Sequence, residues 1–543
     1  MDDTQALSSS PAGETGPRNA VRRQIRGSSL LLLGKFISIG VNFVIQILIV
    51  RYLSKAEYGA FAYALSIVSV GETVVTLGLD RAITRYVPIY HERGDYAKML
   101  GTLVMVLSTI LSLGLAVVLA VVGVQALADQ MLTAAQASSG VGLASVYFGT
   151  LVAEPLIQDY RLVSLLLAIL IVLSPLQALD NIFNGMFAVF SRPSAIFFQK
   201  YVLGPALRVI TVALLVFGQS NTVFLAVGYT LSGLVGILIF GVVLYRVMRT
   251  QRIFQLVPLR SIQIPVREVL AFTVPLLASD LVYVVMNAFD AVLLGQFHGT
   301  ESVAALRAVQ PTARFNQVIL TSFALLFTPA AARMFARGDT DRINDLYWKN
   351  AVWIAVLSFP IFALTFSLAQ PLTLMLYEER YAQSAIIMAL LSFGYYFNSA
   401  TGQNGLTLKV TGRLRYIVTV DIFAAVLNLA VNLWTIPRYG ALGAAVGTTV
   451  TLVIFNLLKQ AGLMRGTGVR AFDRRYLRAY LVIALAAGGL LVVQSLLAVP
   501  IWVGVLLAMV ASVLVVRLNR DILDVKETFP ELTRIPLVRL LWR

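Results

Sequence analysis

The chain has 543 residues, 58% hydrophobic and 13% charged, with a formal net charge of +16 and no cysteine. A soluble chain carries about a quarter charged residues; here the apolar residues run in long blocks, which excludes an ordinary soluble fold, and the missing cysteine excludes disulfides, thiol catalysis and cysteine metal sites. The two histidines, His91 and His298, lie far apart in sequence and suggest no metal site, and the basic residues gather at block ends, where they read as the charge bias of membrane loops rather than a nucleic-acid surface.

Residues 1–28, with Arg18, Arg22, Arg23 and Arg26, read as a disordered basic cytoplasmic tail. The apolar block that follows is too long for a signal peptide and has no small-residue cleavage site after it, so it is a retained first helix. A hydrocarbon core of about 30 Å needs roughly 20 apolar residues per helix, and a helix satisfies its own backbone. On that scale helices are predicted over 29–50, 59–80, 99–126, 162–185, 195–217, 222–246, 270–296, 302–328, 350–376, 382–406, 416–436, 441–464, 476–497 and 500–517. The segment 127–161, with its short apolar run from Val141 to Ala153, reads as an inserted external loop or interfacial segment. The predicted fold class is an all-α integral membrane protein of about fourteen transmembrane helices. Residues 29–248 form an N-lobe of six, residues 249–268 a cytoplasmic linker and residues 269–466 a C-lobe of six; two appended helices occupy 467–520, before a cytoplasmic tail over 521–543.

Charge orients this array. Of 43 Lys and Arg residues, the side opposite the N-terminal tail holds only Arg51, Lys55, Arg161, Arg380 and Arg438. Four more, Lys35, Arg208, Arg307 and Arg314, fall inside helices, and the rest share the side of the tail. The positive-inside rule then puts both termini in the cytoplasm of an inner-membrane protein. The sequence also repeats. Arg93-Gly94-Asp95 recurs as Arg337-Gly338-Asp339, and Glu57 and Ala60 recur as Glu301 and Ala304 at the same spacing. Asn184-Gly185 matches Asn404-Gly405 at a shorter spacing, the difference being the segment 127–161. Two six-helix copies in one orientation imply a pseudo-two-fold axis along the membrane normal. Glycine and aspartate in the repeated stretch suit a turn.

Polar residues enter four helices at steps of three and four. They are Lys35, Ser38, Asn42 and Gln46; Ser66, Ser69, Thr73, Thr76 and Asp80 with Glu72 beside them; Asp280, Tyr283, Asn287 and Asp290; and Arg307, Gln310, Arg314, Gln317 and Thr321. A charge at mid-bilayer costs at least about 2.5–3.5 kcal/mol, so such residues face a bundle interior or a wet cavity. A hydrated cavity between the lobes is expected; polar packing between helices is the plainer alternative. Pro175, Pro275, Pro311 and Pro360, with Gly40 and Gly71, can bend helices. If residues 297–301 turn a helical hairpin, Asp290 lies level with Arg307 and Asp280 level with Arg314, so two ion pairs compete with ligand binding at these arginines.

Gly34-Lys35-Phe36, the run Arg51 to Gly59 (RYLSKAEYG) and the run Ile436 to Ala445 (IPRYGALGAA) resemble the multidrug/oligosaccharidyl-lipid/polysaccharide exporter superfamily, and within it the polysaccharide-unit flippases of the Wzx type. The resemblance spans nearly the whole chain. It implies alternating access to a polyprenyl-pyrophosphate-linked oligosaccharide, with membrane lipids and polysaccharide polymerase machinery as further partners. Arginine suits pyrophosphate through its planar fork of donors, so Lys35, Asn42, Gln46, Glu72, Arg307, Gln310 and Arg314 are the candidate substrate residues. No GxxxxGK[ST] sequence is present, so no cofactor is expected beyond a coupling ion, sodium or a proton. Related lipid II flippases suggest a sodium site, here at Asp290, Asn428, Asn432 and Thr448, although Asn432 stands where the family has a carboxylate. A multidrug antiporter of the same superfamily would share the fold. A membrane-embedded polymerase or glycosyltransferase would need acid/base groups beside a large loop, and no paired-carboxylate motif stands out.

Overall fold

The computed structural model describes residues 17–137 and 154–523, apart from 191, 252, 254–257, 259–260, 468 and 471–472. Its first half comprises α1 (Pro17–Tyr52), α2 (Lys55–Thr76), α3 (Leu79–Glu92), α4 (Tyr96–Ala137), α5 (Glu154–Leu170) and α6 (Leu173–Val189). Then come α7 (Pro193–Phe197), a π-helical turn over Phe198–Leu203, α8 (Gly204–Phe217) and α9 (Thr222–Thr250). The second half comprises α10 (Val266–Arg314), α11 (Val318–Ala336), α12 (Thr340–Phe362), α13 (Ala369–Tyr377), α14 (Ser384–Ala400), α15 (Asn404–Val410) and α16 (Leu414–Gly466). It closes with α17 (Leu477–Leu497), α18 (Ile501–Leu518) and the short α19 (Arg520–Leu523).

Local chemistry sets the boundaries. The Ser54 hydroxyl accepts from the Glu57 amide at 3.2 Å while the Glu57 carboxylate accepts from the Ser54 amide at 3.0 Å, a reciprocal cap that starts α2. A straight helix the length of α16 would reach about 80 Å, far beyond a bilayer. Instead Gly440 (φ 54°, ψ −133°) folds it back, and Gly299 (φ 74°, ψ −177°) does the same to α10, both in backbone regions that side chains with a Cβ disfavour. Both turns fall between the helices predicted there. The two copies of the Arg-Gly-Asp stretch also take one geometry: Gly94 and Gly338 are left-handed (φ 69° and 70°), and Asp95 and Asp339 each accept from the amide three residues on.

Three expectations change. α1 starts at Pro17, inside the segment read as a disordered tail; Pro is tolerated at a helix start, and the Ala, Arg and Gln residues after it favour a helix without being apolar. Within the segment 127–161, residues 127–137 and 154–161 are helical rather than loop. α4 runs on to Ala137 through residues rich in Ala, Gln, Leu and Met, and α5 already starts at Glu154. The run Val141 to Ala153 lies outside the described residues, as do residues 1–16 and 524–543. The third is that predicted helices break: helix 2 ends at Thr76, which puts Asp80 on α3 rather than in the α2 stripe, helix 4 is divided between Leu170 and Leu173, and helix 10 breaks at Gly402 between α14 and α15.

Ten helices among the described residues are long and apolar enough to cross a membrane, or eleven if a bent pair is taken as one span. The protein is all-helical and crosses the membrane several times. Its core has three parts. One lies mainly within the first half, around Ile83, Val106, Ile182 and Phe187, and takes in Val269 of α10. Another lies within the second half, around Tyr347, Phe359 and Leu463, and reaches α17 and α18. The third joins the halves at one end, where Ile49, Leu53 and Ala60 pack with Leu294, Val303, Tyr377 and Ile436. The halves are therefore sealed together at that end, and they also touch near the other, where the Tyr86 and Tyr90 hydroxyls of α3 donate to the Glu268 carbonyl and carboxylate of α10 at 3.0 and 2.8 Å.

Candidate functional site

A cavity of about 1140 Å³ opens between the halves, and all seven substrate residues expected from the sequence line it: Lys35, Asn42, Gln46, Glu72, Arg307, Gln310 and Arg314. The helical steps of three and four that gave α1 its polar stripe bring Lys35, Ser38, Asn42 and Gln46 onto this one wall. Ser66, Ser69 and Thr73 of α2 line it too, whereas each of these hydroxyls donates to a backbone oxygen of its own helix.

The floor of the cavity follows from a proline. Pro311 has no amide hydrogen, so the carbonyl of Arg307 loses its helical partner. That oxygen accepts instead from the Gln46 side-chain amide at 3.3 Å and from the Tyr58 hydroxyl at 3.3 Å, and Gln46 also donates to the Ala308 carbonyl at 3.1 Å. Gln46 thus lines the cavity but serves as a tie between the halves.

Arg307 donates to Asp290 Oδ1 at 3.1 Å and to Gln310 Oε1 at 2.8 Å. In a straight helix these two charges, 17 positions apart, would be about 25 Å apart; the fold-back at Gly299 joins them, as the matched depths predicted. Asp290 is 1% exposed. The side chains of Asp280, Tyr283 and Asn287 lie outside the described residues, so the second predicted pair with Arg314 does too. Arg314 donates from Nε to the Tyr395 hydroxyl at 3.0 Å, with its guanidinium 5.7 Å from that ring's centre.

The sequence reading missed two cations. Lys200, in the π-helical turn, and Arg208, on α8, line the same cavity. Arg208 donates to Asn42 Oδ1 at 3.3 Å and lies 5.7 Å from the Tyr229 ring centre. Arg208 was visible as a charge inside a helix, but one charge makes no stripe. Among the described lining residues, Lys35, Lys200, Arg208, Arg307 and Arg314 face a single carboxylate, Glu72, which accepts from the Asn181 amide at 2.9 Å. Asp80 and Asp290 do not line the cavity.

The residues suggested for sodium fit an ion poorly in this arrangement. Asp290, their one carboxylate, is held by Arg307. Asn428 Oδ1 accepts from Asn432 at 3.2 Å, and the hydroxyl that Asn428 reaches, at 3.4 Å, is that of Thr451 rather than Thr448. A guanidinium on the carboxylate repels a metal ion, so no transport step follows from this set. Among the described residues no group of three or more His, Cys, Asp or Glu side chains could hold a metal.

The polysaccharide biosynthesis protein family matches residues 25–335, and the MatE family matches residues 275–434. An uncharacterized membrane protein of Methanocaldococcus jannaschii is 21% identical over 439 residues, 78% of this chain and 81% of the relative. The multidrug resistance protein NorM of Burkholderia vietnamiensis is 29% identical over 192 residues, 33% of this chain and 40% of NorM. Two solved structures share the fold. One is the lipid II flippase MurJ in an inward closed conformation, with a TM-score of 0.66, 15% identity and coverage of 91% of this chain and 99% of MurJ. The other is an inward-facing multidrug resistance transporter of the MATE family, with a TM-score of 0.60, 16% identity and coverage of 80% and 95%. With residues 25–335 matched by the polysaccharide biosynthesis model and residues 275–434 by MatE, the chain belongs to the polysaccharide biosynthesis protein family, in the multidrug/oligosaccharidyl-lipid/polysaccharide exporter superfamily, and is a membrane transporter rather than an enzyme.

Proposed function

We propose that the protein flips a polyprenyl-pyrophosphate-linked oligosaccharide from the inner to the outer leaflet of the cytoplasmic membrane, for cell-surface polysaccharide synthesis. The observation that carries this reading is the charge of the cavity: among the described lining residues five basic side chains, of which Arg307 is already paired with Asp290, stand against Glu72. A low-dielectric cleft lined by one sign of charge concentrates ligands of the other sign, and pyrophosphate matches arginine forks. In this reading residues 29–248 and 269–466 act as two lobes of a fourteen-span array that alternates between openings to either side. The sealed end faces outward, and the cavity faces the cytoplasm that holds both termini. Polymerase machinery takes over the flipped unit.

A second reading is multidrug or cation antiport. The MatE match, the NorM relative and the inward-facing MATE structure all favour it, and the comparisons lean that way more than towards a flippase. The cavity leans the other way, since a cation carrier gains from an acidic lining. Reconstitution into liposomes separates them. Translocation of a fluorescent polyprenyl-pyrophosphate disaccharide is expected, and Arg208→Gln is expected to slow it about tenfold, the loss of one charge-assisted hydrogen bond. Ethidium efflux driven by a sodium or proton gradient, with no lipid translocation, would establish the antiporter instead.

A further inference from the structure

Beside the main cavity lies a side chamber of about 480 Å³, within the size range of small-molecule sites, and it shares Asn42, Glu72, Lys200 and Arg208 with the main cavity. Its deeper wall is made by Gln177, Asp180 and Asn181 of α6 with Gln199 and Tyr201 of the π-helical turn. Such single π turns are frequent at functional sites. Two of the three amides that line this wall, Asn181 and Gln199, are engaged as donors. Asn181 donates to Glu72 Oε1 at 2.9 Å, Asn184 donates to Asp180 Oδ2 at 3.0 Å, and the Gln199 amide donates to Asp180 Oδ1. Around Asp180 and Gln199 the wall then presents acceptors, while Gln177, Lys200 and Arg208 supply its donors elsewhere. Gln199 is 5% exposed, and its Oε1 has no partner among the described residues although it is buried against the chamber. An acceptor left buried without a donor is costly, and here two carboxylates flank it.

We infer that this chamber is the saccharide subsite of the transporter, shaped for a neutral or amino sugar and closed to uronic acids. The inference rests on the flippase reading. Hydroxyl and amido hydrogens of a sugar supply the donor that Gln199 Oε1 lacks and add to the bonds that Glu72 and Asp180 already accept, and the Tyr201 ring offers a flat face for the sugar's C–H side. A sugar carboxylate at the same place would meet Glu72 and Asp180 as a like charge. The basic residues shared with the main cavity, Lys200 and Arg208, stand at the mouth, where the pyrophosphate attached to the first sugar would lie.

The test uses the full chain in lipid nanodiscs and three probes: a short polyprenyl pyrophosphate with no sugar, the same lipid with N-acetylglucosamine, and the same lipid with glucuronate. The N-acetylglucosamine probe is expected to bind about tenfold more tightly than the bare lipid, the gain of one hydrogen bond to a charged group. The glucuronate probe is expected to gain nothing. Gln199→Leu should bring the first ratio to about one. Glu72→Gln, which keeps the side chain's size, should lower that ratio and raise glucuronate binding. Equal binding of all three probes by the wild type would overturn the subsite, as would an advantage for N-acetylglucosamine that survives both substitutions. So would an advantage that appears only with sodium, which would make the carboxylates a cation site. Failure of the bare lipid to bind at all would instead remove the flippase reading beneath it.

Discussion

The Asp290–Arg307 pair is the best-defined charge contact in the membrane interior. Its N–O distance is 3.1 Å, with the carboxylate side chain 1% exposed and the guanidinium 17%. Removing one partner of a buried pair strands the other and typically costs about 3–5 kcal/mol, whereas moving both together costs far less. Asp290→Ala is therefore expected to lower the melting temperature of the purified protein sharply. The swap Asp290→Arg with Arg307→Asp should recover most of that loss. If transport recovers with stability in the swap, the pair is structural; if stability alone recovers, Arg307 also serves the substrate. This contact could be read from the sequence because a hairpin equates depth with the sum of two residue numbers. Lys35, Asn42 and Gln310 were legible as stripe members for a similar reason. Lys200, Arg208 and Gln199 were not, since Gln199 and Lys200 are one adjacent pair and Arg208 a lone charge, none of them part of a stripe, and only the packing of α8 and the π-helical turn against α1 and α6 brings them to the cavities.

Helices meet at the sealed end through their C-termini. The last carbonyls of a helix lack intrahelical partners and carry partial negative charge. Arg51, at the end of α1, donates to the carbonyls of Met375 and Leu376 at the end of α13. Arg380, just beyond α13, donates to the carbonyls of Leu53 at 2.8 Å, Val50 at 2.9 Å and Arg51 at 2.5 Å. Each helix end is thus capped by an arginine attached to the other. Close backbone approach helps: a methyl group on Gly59 would lie 1.9 Å from the Thr300 carbonyl oxygen. Replacing both arginines with alanine is expected to loosen this end. Val303→Cys, fully buried here, should then react with a membrane-impermeant maleimide about tenfold faster than in the parent; an unchanged rate would show that the arginines do not hold the end shut. The all-helical membrane class was legible because apolar length specifies a span, and ten or eleven described helices meet that length. Helix ends were less so. Hydropathy marks where a helix leaves the bilayer, not where it stops, and the continuations of α1, α4 and α5 beyond the apolar blocks depend on helix propensity instead.

At the scale of the whole molecule, tertiary contacts sort the connecting segments into two ends. The Tyr52 hydroxyl donates to the Ser220 carbonyl at 3.0 Å, Arg51 reaches Leu376, and the His298 ring bonds the Ile436 carbonyl at 2.8 Å, so these segments share one end. At the other, the Gln263 amide donates to the Ala97 carbonyl, Trp348 to the Arg470 carbonyl at 3.1 Å, and Arg475 meets Asp345 at 3.0 Å. This partition matches the one that Lys and Arg counts produced: the first end holds Arg51, Lys55, Arg380 and Arg438, and the second holds the dense basic segments. The match is physically expected, since loops that stay inside carry the positive charge, yet it leaves open which end faces out until the rule is applied. Asn19 and Tyr52 lie 33 positions apart on α1, about 50 Å of continuous helix, so they must sit at opposite faces. The absence of cysteine makes single-cysteine labelling clean. Asn221→Cys, at the cap of α9 beside Ser220, is expected to react with an impermeant maleimide in intact cells. Asn19→Cys and Arg470→Cys should react only after permeabilisation. Labelling of Asn19→Cys from outside would invert the orientation, and with it the direction proposed for transport; labelling of Asn19→Cys and Asn221→Cys from the same face would break the assignment of α1 as a spanning helix.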